Sequence, residues 1–204
     1  RQSDRYSFAD YARFLIYNPE WPGETAMRRD AEQAMRSAEN GATVLAFFAT
    51  ENPLTGRGHL RHAEGLLASG RQAEAIAAAR EAGASDDLDA ADETAAYSRF
   101  GSQFSYLDHE RRADALLFDK KASDAYRLLG LVSAARRSVF EARIAMQTRT
   151  ADAERRYQAV AHRVSTDAGL LMDRARYLRD GNNAHAARQI AARPHALTNR
   201  PADV

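Results

Sequence analysis

The 204-residue chain has no cysteine, which excludes disulfide staples and thiolate metal sites. The absence suits an oxidising compartment such as the periplasm as well as it suits the cytosol. Long apolar runs are also missing: nothing approaches the roughly 18 consecutive apolar residues of a membrane span, and the start of the chain lacks a secretory signal. That abrupt start suggests that a leader or preceding segment has been removed. Net charge is close to absent, at +1, so a nucleic-acid partner has no bulk electrostatic support. No P-loop, dinucleotide fingerprint or serine nucleophile elbow occurs, and no spacing of Asp, Glu and His specifies an acid/base pair. No cofactor is expected.

With β-branched residues sparse and alanine frequent, the sequence favours helices, and the expected class is all-α. A helical-hairpin phrase recurs three times. Residues 59–76 (HLRHAEGLLASGRQAEAI) align without gaps onto 109–126 (HERRADALLFDKKASDAY) and onto 170–187 (LLMDRARYLRDGNNAHAA), at offsets of 50 and then 61 residues. In each copy two bulky residues (Leu66/Leu67, Leu116/Leu117, Tyr177/Leu178) end one helix, a polar turn follows, and a small residue (Ala75, Ala125, Ala186) sits inside the next. Repeats of this kind bury their apolar faces only by stacking. The expected architecture is an α-solenoid of helical hairpins, a right-handed superhelix like that of tetratricopeptide repeats, forming a single domain over 1–192 with a tail or linker over 193–204.

Apolar spacing, with Gly, Pro and Asn as punctuation, predicts twelve helices near 7–17, 24–38, 42–50, 57–69, 72–82, 89–100, 103–118, 122–129, 131–148, 152–165, 168–179 and 183–192. Ser7 reads as an N-cap, Gly56 and Gly58 as breakers between the third and fourth helices, and Gly70, Gly83 and Gly181 as left-handed C-terminal caps. The acidic stretch 86–93 opens a helix, where carboxylates favour the helix dipole.

Charge is unevenly spread. Residues 1–102 hold 11 Lys/Arg and 16 Asp/Glu, a net of −5, whereas 103–204 hold 18 and 12, a net of +6. Within the basic half, adjacent arginines recur as Arg111/Arg112, Arg136/Arg137 and Arg155/Arg156, and a further pair is Arg28/Arg29. Neighbours on a helix point about 100° apart. One member of each pair can therefore bind a carboxylate of an adjacent helix while the other meets solvent; the functional alternative is contact with carboxylates of a peptide stem or an acidic partner. The six arginines of the basic half are the candidate binding residues. His59 and His62, with Glu64, are too poor a set for zinc, and no metal site is expected; His109 reads as a packing residue. Tyr6, Phe8, Tyr11, Phe14, Tyr17 and Trp21 recur at helical spacing and read as core or capping of the first hairpin rather than as a sugar-stacking platform.

Longer phrases add a resemblance. Residues 14–35 (FLIYNPEWPGETAMRRDAEQAM), 52–75 (NPLTGRGHLRHAEGLLASGRQAEA), 100–129 (FGSQFSYLDHERRADALLFDKKASDAYRLL), 142–146 (ARIAM) and 167–187 (DAGLLMDRARYLRDGNNAHAA) together resemble, in collinear order, the superhelical domain of soluble lytic murein transglycosylases. The resemblance implies a periplasmic location, peptidoglycan as partner, and contacts with other cell-wall proteins or with a separate lysozyme-like domain. In that family a Glu followed by Ser cleaves the glycan and leaves a 1,6-anhydro product. This chain has no Glu-Ser dipeptide, and its Gly169-Leu170-Leu171-Met172 lies within a hairpin copy and reads as packing. No catalytic residue carries over; the chain is expected to be the inactive helical part, binding and positioning substrate. The other class of function open to it is a helical-repeat adaptor for protein partners.

Overall fold

A computed structural model describes residues 6–85 and 87–197. Every regular element among them is helical: α1 (Phe8–Tyr17), α2 (Glu24–Ala34), α3 (Gly41–Phe47), α4 (Gly56–Ala68), α5 (Gln72–Ala84), α6 (Ala90–Phe100), α7 (Tyr106–Phe118), α8 (Ala122–Arg127), α9 (Ala134–Thr148), α10 (Ala153–Val160), α11 (Ala168–Asp180) and α12 (Ala184–Ala191). Short 3₁₀ turns follow α6 and α10. No described helix is long and apolar enough to cross a membrane. All twelve expected helices are present. The forecast ran long at several ends, as at α2, where Met35 is already extended. The expected tail is non-helical over 193–197, and its remainder lies outside the described residues.

The chain forms two compact units, Arg1–Phe104 and Ser105–Val204. In the first, α1, α2 and α3 enclose Phe8, Leu15, Ala31, Met35, Val44 and Phe47, while α4, α5 and α6 enclose Leu60, Leu66, Ala75, Ala79, Ala96 and Phe100. In the second, Val139, Met146, Tyr157, Val160, Leu170 and Ile190 bring together α9 to α12. Alanines at the helix contacts let the helix axes approach closely. Short turns make the members of each pair run in opposite directions.

One turn closes four of the hairpins. The N–H of Arg71 donates to the carbonyl of Leu66, that of Lys121 to Leu116, Thr150 to Ala145 and Asn183 to Leu178, at 2.8–3.1 Å. In each case the preceding residue is left-handed: φ is +80° at Gly70, +61° at Lys120, +54° at Arg149 and +62° at Asn182. This is the six-to-one closure of a Schellman motif. It corrects three expectations. The third hairpin copy is displaced by one residue, so Leu178 and not Tyr177 matches Leu66. Its left-handed residue is Asn182, Gly181 having φ −88°. Gly83 lies inside α5. A further turn of the same kind, at α9–α10, escaped the alignment because Ala145 replaces the bulky leucine there.

Charged side chains link alternate helices in the same way in both units. Glu32 of α2 is fully buried and accepts from the Leu54 N–H at 2.9 Å and the Thr55 hydroxyl at 2.6 Å, at the N-cap of α4. Glu110 of α7 accepts from the Ser133 N–H at 3.1 Å and its hydroxyl at 2.5 Å, at the N-cap of α9. Both carboxylates stand 23 residues before the cap they reach. Onward from α4, Arg57 pairs with Asp89, the N-cap of α6, and with Asp92 at 2.7 Å, and Arg61 also binds Asp92. Onward from α9, Arg136 pairs with Asp167, the N-cap of α11, and Arg143 pairs with Asp173 at 2.7 Å. Gly56 and Gly58 thus do not break helices. They admit this network: a Cβ on Gly58 would lie 2.2 Å from a Glu32 oxygen.

Candidate functional site

The six candidate arginines separate by burial. Arg112 is 2% exposed and belongs to the interior of its unit. Arg136 is spent on Asp114 at 3.0 Å and on Asp167, with its guanidinium 4.8 Å from the Phe140 ring centroid. Arg136 is thereby held in the links between α7, α9 and α11. Arg111 is exposed, and Arg155 is 80% exposed with only a 3.2 Å contact to Asp152. Arg136 binds carboxylates of neighbouring helices while Arg137 is exposed, and Arg156 reaches Glu141 of α9 while Arg155 is exposed; Arg28 instead turns in to donate to the Phe47 carbonyl at 3.1 Å while Arg29 stays in solvent.

Arg137 and Arg156 come together in one groove. Its floor is a stripe of α9, namely Arg137, Glu141, Ile144 and Ala145, residues three and four apart that share a helix face. Tyr126, Leu129 and Gly130, at the end of α8, form one wall. Thr150, Asp152 and Arg156, at the start of α10, form the other. The open groove has a volume of about 480 Å³, within the range of small-ligand sites. Tyr126, 65% exposed, and Glu141 were not singled out from sequence; the spacing Arg137-Glu141-Ile144 was the available signal.

Charge in the groove is mixed. Arg156 donates from Nε to Asp152 at 2.7 Å and from Nη1 to Glu141 at 2.9 Å. The Thr150 hydroxyl, first, and the Arg156 guanidinium hold the Asp152 carboxyl down at about 2. A group held so low has no proton to give near neutral pH. Arg137, exposed, has no ion-pair partner among the described residues.

The remaining candidates are structural. Burial depresses both His59 and His62, and the His62 ring lies 5.1 Å from that of Phe48. No group of three His, Asp or Glu among the described residues is placed to hold a metal. Asp87, Asp89 and Asp92 of the acidic stretch accept from Gly56, Arg57 and Arg61, while residue 86 lies outside the described residues. The N-terminal aromatics divide. Phe8 and Tyr11 are core, while Tyr6, Phe14, Tyr17 and Trp21 are exposed: a ten-residue helix with one buried stripe has no second face to cover them.

Fold and site together define a class, a protein that is all-helical among the described residues, with paired helices and a mixed-charge, tyrosine-flanked groove. Comparison with protein-family models, curated proteins and solved structures gives no match.

Proposed function

We propose that the chain is the helical part of a periplasmic lytic transglycosylase and that it holds peptidoglycan for a lysozyme-like domain outside this sequence. The observation that carries the reading is the convergence of Arg137, Arg156 and Tyr126 on one groove. The guanidinium of Arg137 takes a carboxylate of the stem peptide, Glu141 and Asp152 face its ammonium groups, and the Tyr126 ring offers an apolar surface to a sugar. The collinear resemblance supports the same assignment. Stacking of the hairpins into a right-handed, tetratricopeptide-like superhelix is part of the proposal, and the recurrent turn of Gly70, Lys120, Arg149 and Asn182 supports it.

Co-sedimentation with purified sacculi over a salt series, with the supernatant examined by mass spectrometry for anhydro-muropeptides, tests this. Retention that weakens with salt and releases no product is expected. Failure to sediment at low salt would end the reading, and released product would convert the chain into an enzyme.

A protein adaptor is the second reading, favoured by a different feature. Phe14, Ile16, Tyr17 and Trp21 are exposed around the end of α1, with Phe14 and Trp21 edge to face at 5.3 Å. Recovery of one discrete protein by the wild-type chain, lost on Trp21→Ser, would favour it.

A further inference from the structure

A second concavity in the unit of residues 105–204 has a different character. It lies where α7, α9 and α11 end, has a volume of about 330 Å³, and is lined by Lys120, Lys121, Arg149, Arg176 and Arg179 against two carboxylates, Asp173 and Asp180. The carboxylates are already engaged. Asp173, 1% exposed, binds Arg143 at 2.7 Å and the Gln147 amide at 2.9 Å, and Asp180 binds Arg179 at 2.7 Å. Arg149 and Arg176 approach a carboxylate only at 3.8 Å, and Lys120 has no ion-pair partner among the described residues. The lining carries a formal excess of three positive charges.

Cations at helix C-termini complement the helix dipole, which accounts for some of this charge. It does not account for the backbone. Lys120 and Arg149 are both left-handed, a conformation that costs an L-residue roughly 1–2 kcal/mol and that Gly70 adopts freely in the same turn of α4. Of the three non-glycine residues in this turn, Asn182 is one that tolerates the conformation, whereas Lys120 and Arg149 carry long cationic side chains, and both of these line the same cavity. Retained strain of this kind marks sites of use. Lys121 is paired with Asp119 at 2.6 Å and Arg179 with Asp180 at 2.7 Å, which leaves Lys120, Arg149 and Arg176 facing a cavity sized for a small anion rather than a polymer.

We infer that this cavity binds a small dianionic group, a phosphate monoester or a pair of neighbouring carboxylates, between Lys120, Arg149 and Arg176. The inference is independent of the peptidoglycan reading, since none of these residues lines the groove of Arg137.

The test is calorimetric titration of the whole chain, at low ionic strength, with inorganic phosphate and separately with glutarate, each matched to a chloride control. At least one probe binds saturably, and the double variant Lys120→Gly/Arg149→Gly, which relieves strain and so folds, weakens it at least tenfold. Arg188→Gln/Arg193→Gln removes equal charge elsewhere and leaves binding within twofold. Binding of phosphate alone assigns a phosphate-bearing ligand, and of glutarate alone a dicarboxylate. No saturable binding of either probe, undiminished binding by the glycine variant, or an equal loss in the control variant would each overturn the inference.

Discussion

The Arg143 guanidinium occupies the space that a side chain at residue 169 would need: a Cβ on Gly169 would lie 2.2 Å from its Cζ. Arg143, 0% exposed, sits between Asp114 and Asp173 with Phe118 beside it, 4.8 Å from Cζ to the ring centroid. A guanidinium so held has nowhere to retreat. Gly169→Ala is therefore expected to lose roughly 2–4 kcal/mol by urea denaturation, despite about 1 kcal/mol of better helix propensity. In an Arg143→Ala background the same substitution should cost under about 1 kcal/mol; equal costs in both backgrounds would show that the two residues do not compete for space.

The left-handed turns give a gain instead. Lys120→Gly and Arg149→Gly should each raise stability by about 0.5–1 kcal/mol, strain relief exceeding the entropy that glycine adds to the unfolded chain. Gly70→Ala should lose about 1 kcal/mol at the equivalent position. Urea midpoints that move the other way would remove the strain argument.

Two buried carboxylates shift in opposite directions. Burial pushes Glu32 above its ordinary value despite the Thr55 and Leu54 hydrogen bonds. At Asp167 burial is outweighed by the Arg136 guanidinium, with help from the Leu170 N–H, and its carboxyl is held down. The contribution of Glu32 is thus complete below pH 4.5 and lost as pH rises through its raised value, while that of Asp167 is complete above pH 3.8 and lost as pH falls below it. Glu32→Gln, which can still accept both hydrogen bonds, should improve relative to wild type as pH rises from 4.5. Asp167→Asn, which still caps α11, should show a shallower acid decline below pH 4. Urea midpoints measured from pH 2 to 8 check both signs.

Arg137→Glu and Tyr126→Ala alter exposed groove residues and should change stability by no more than about 0.5 kcal/mol. Retention on sacculi should fall several-fold with either, whereas Arg29→Glu, an exposed arginine of the other unit, should leave it within twofold. Loss of retention with all three alike would point to bulk charge rather than the groove.

The helices and caps were legible because their causes are local. Ser7 and Asp10 form the capping box of α1 from four consecutive residues, and Phe8, Tyr11, Ala12 and Leu15 recur at one helix spacing. The doubled arginines announced one inward and one outward member. Which member turned in, and toward what, depended on where α7, α9 and α11 came to lie. Arg136 met Asp114 and Asp167, 22 and 31 residues away in sequence, and was withdrawn from solvent, while Arg137 was left over a groove. Gly58 and Gly169 looked like helix breakers or packing residues; only the neighbouring helix showed that each vacates room for a buried charged group.

Composition and periodicity by themselves determined an all-helical chain of twelve short elements with a recurring hairpin phrase, because helix formation, capping and turn closure are settled by residues a few positions apart. Tertiary structure decided the pairing of Arg143 with Asp173, the groove of Tyr126, Arg137 and Arg156, and the basic cavity of Lys120 and Arg149. Those depend on side chains from helices tens of residues apart, and on desolvation, which decides which charges must find partners and which remain available.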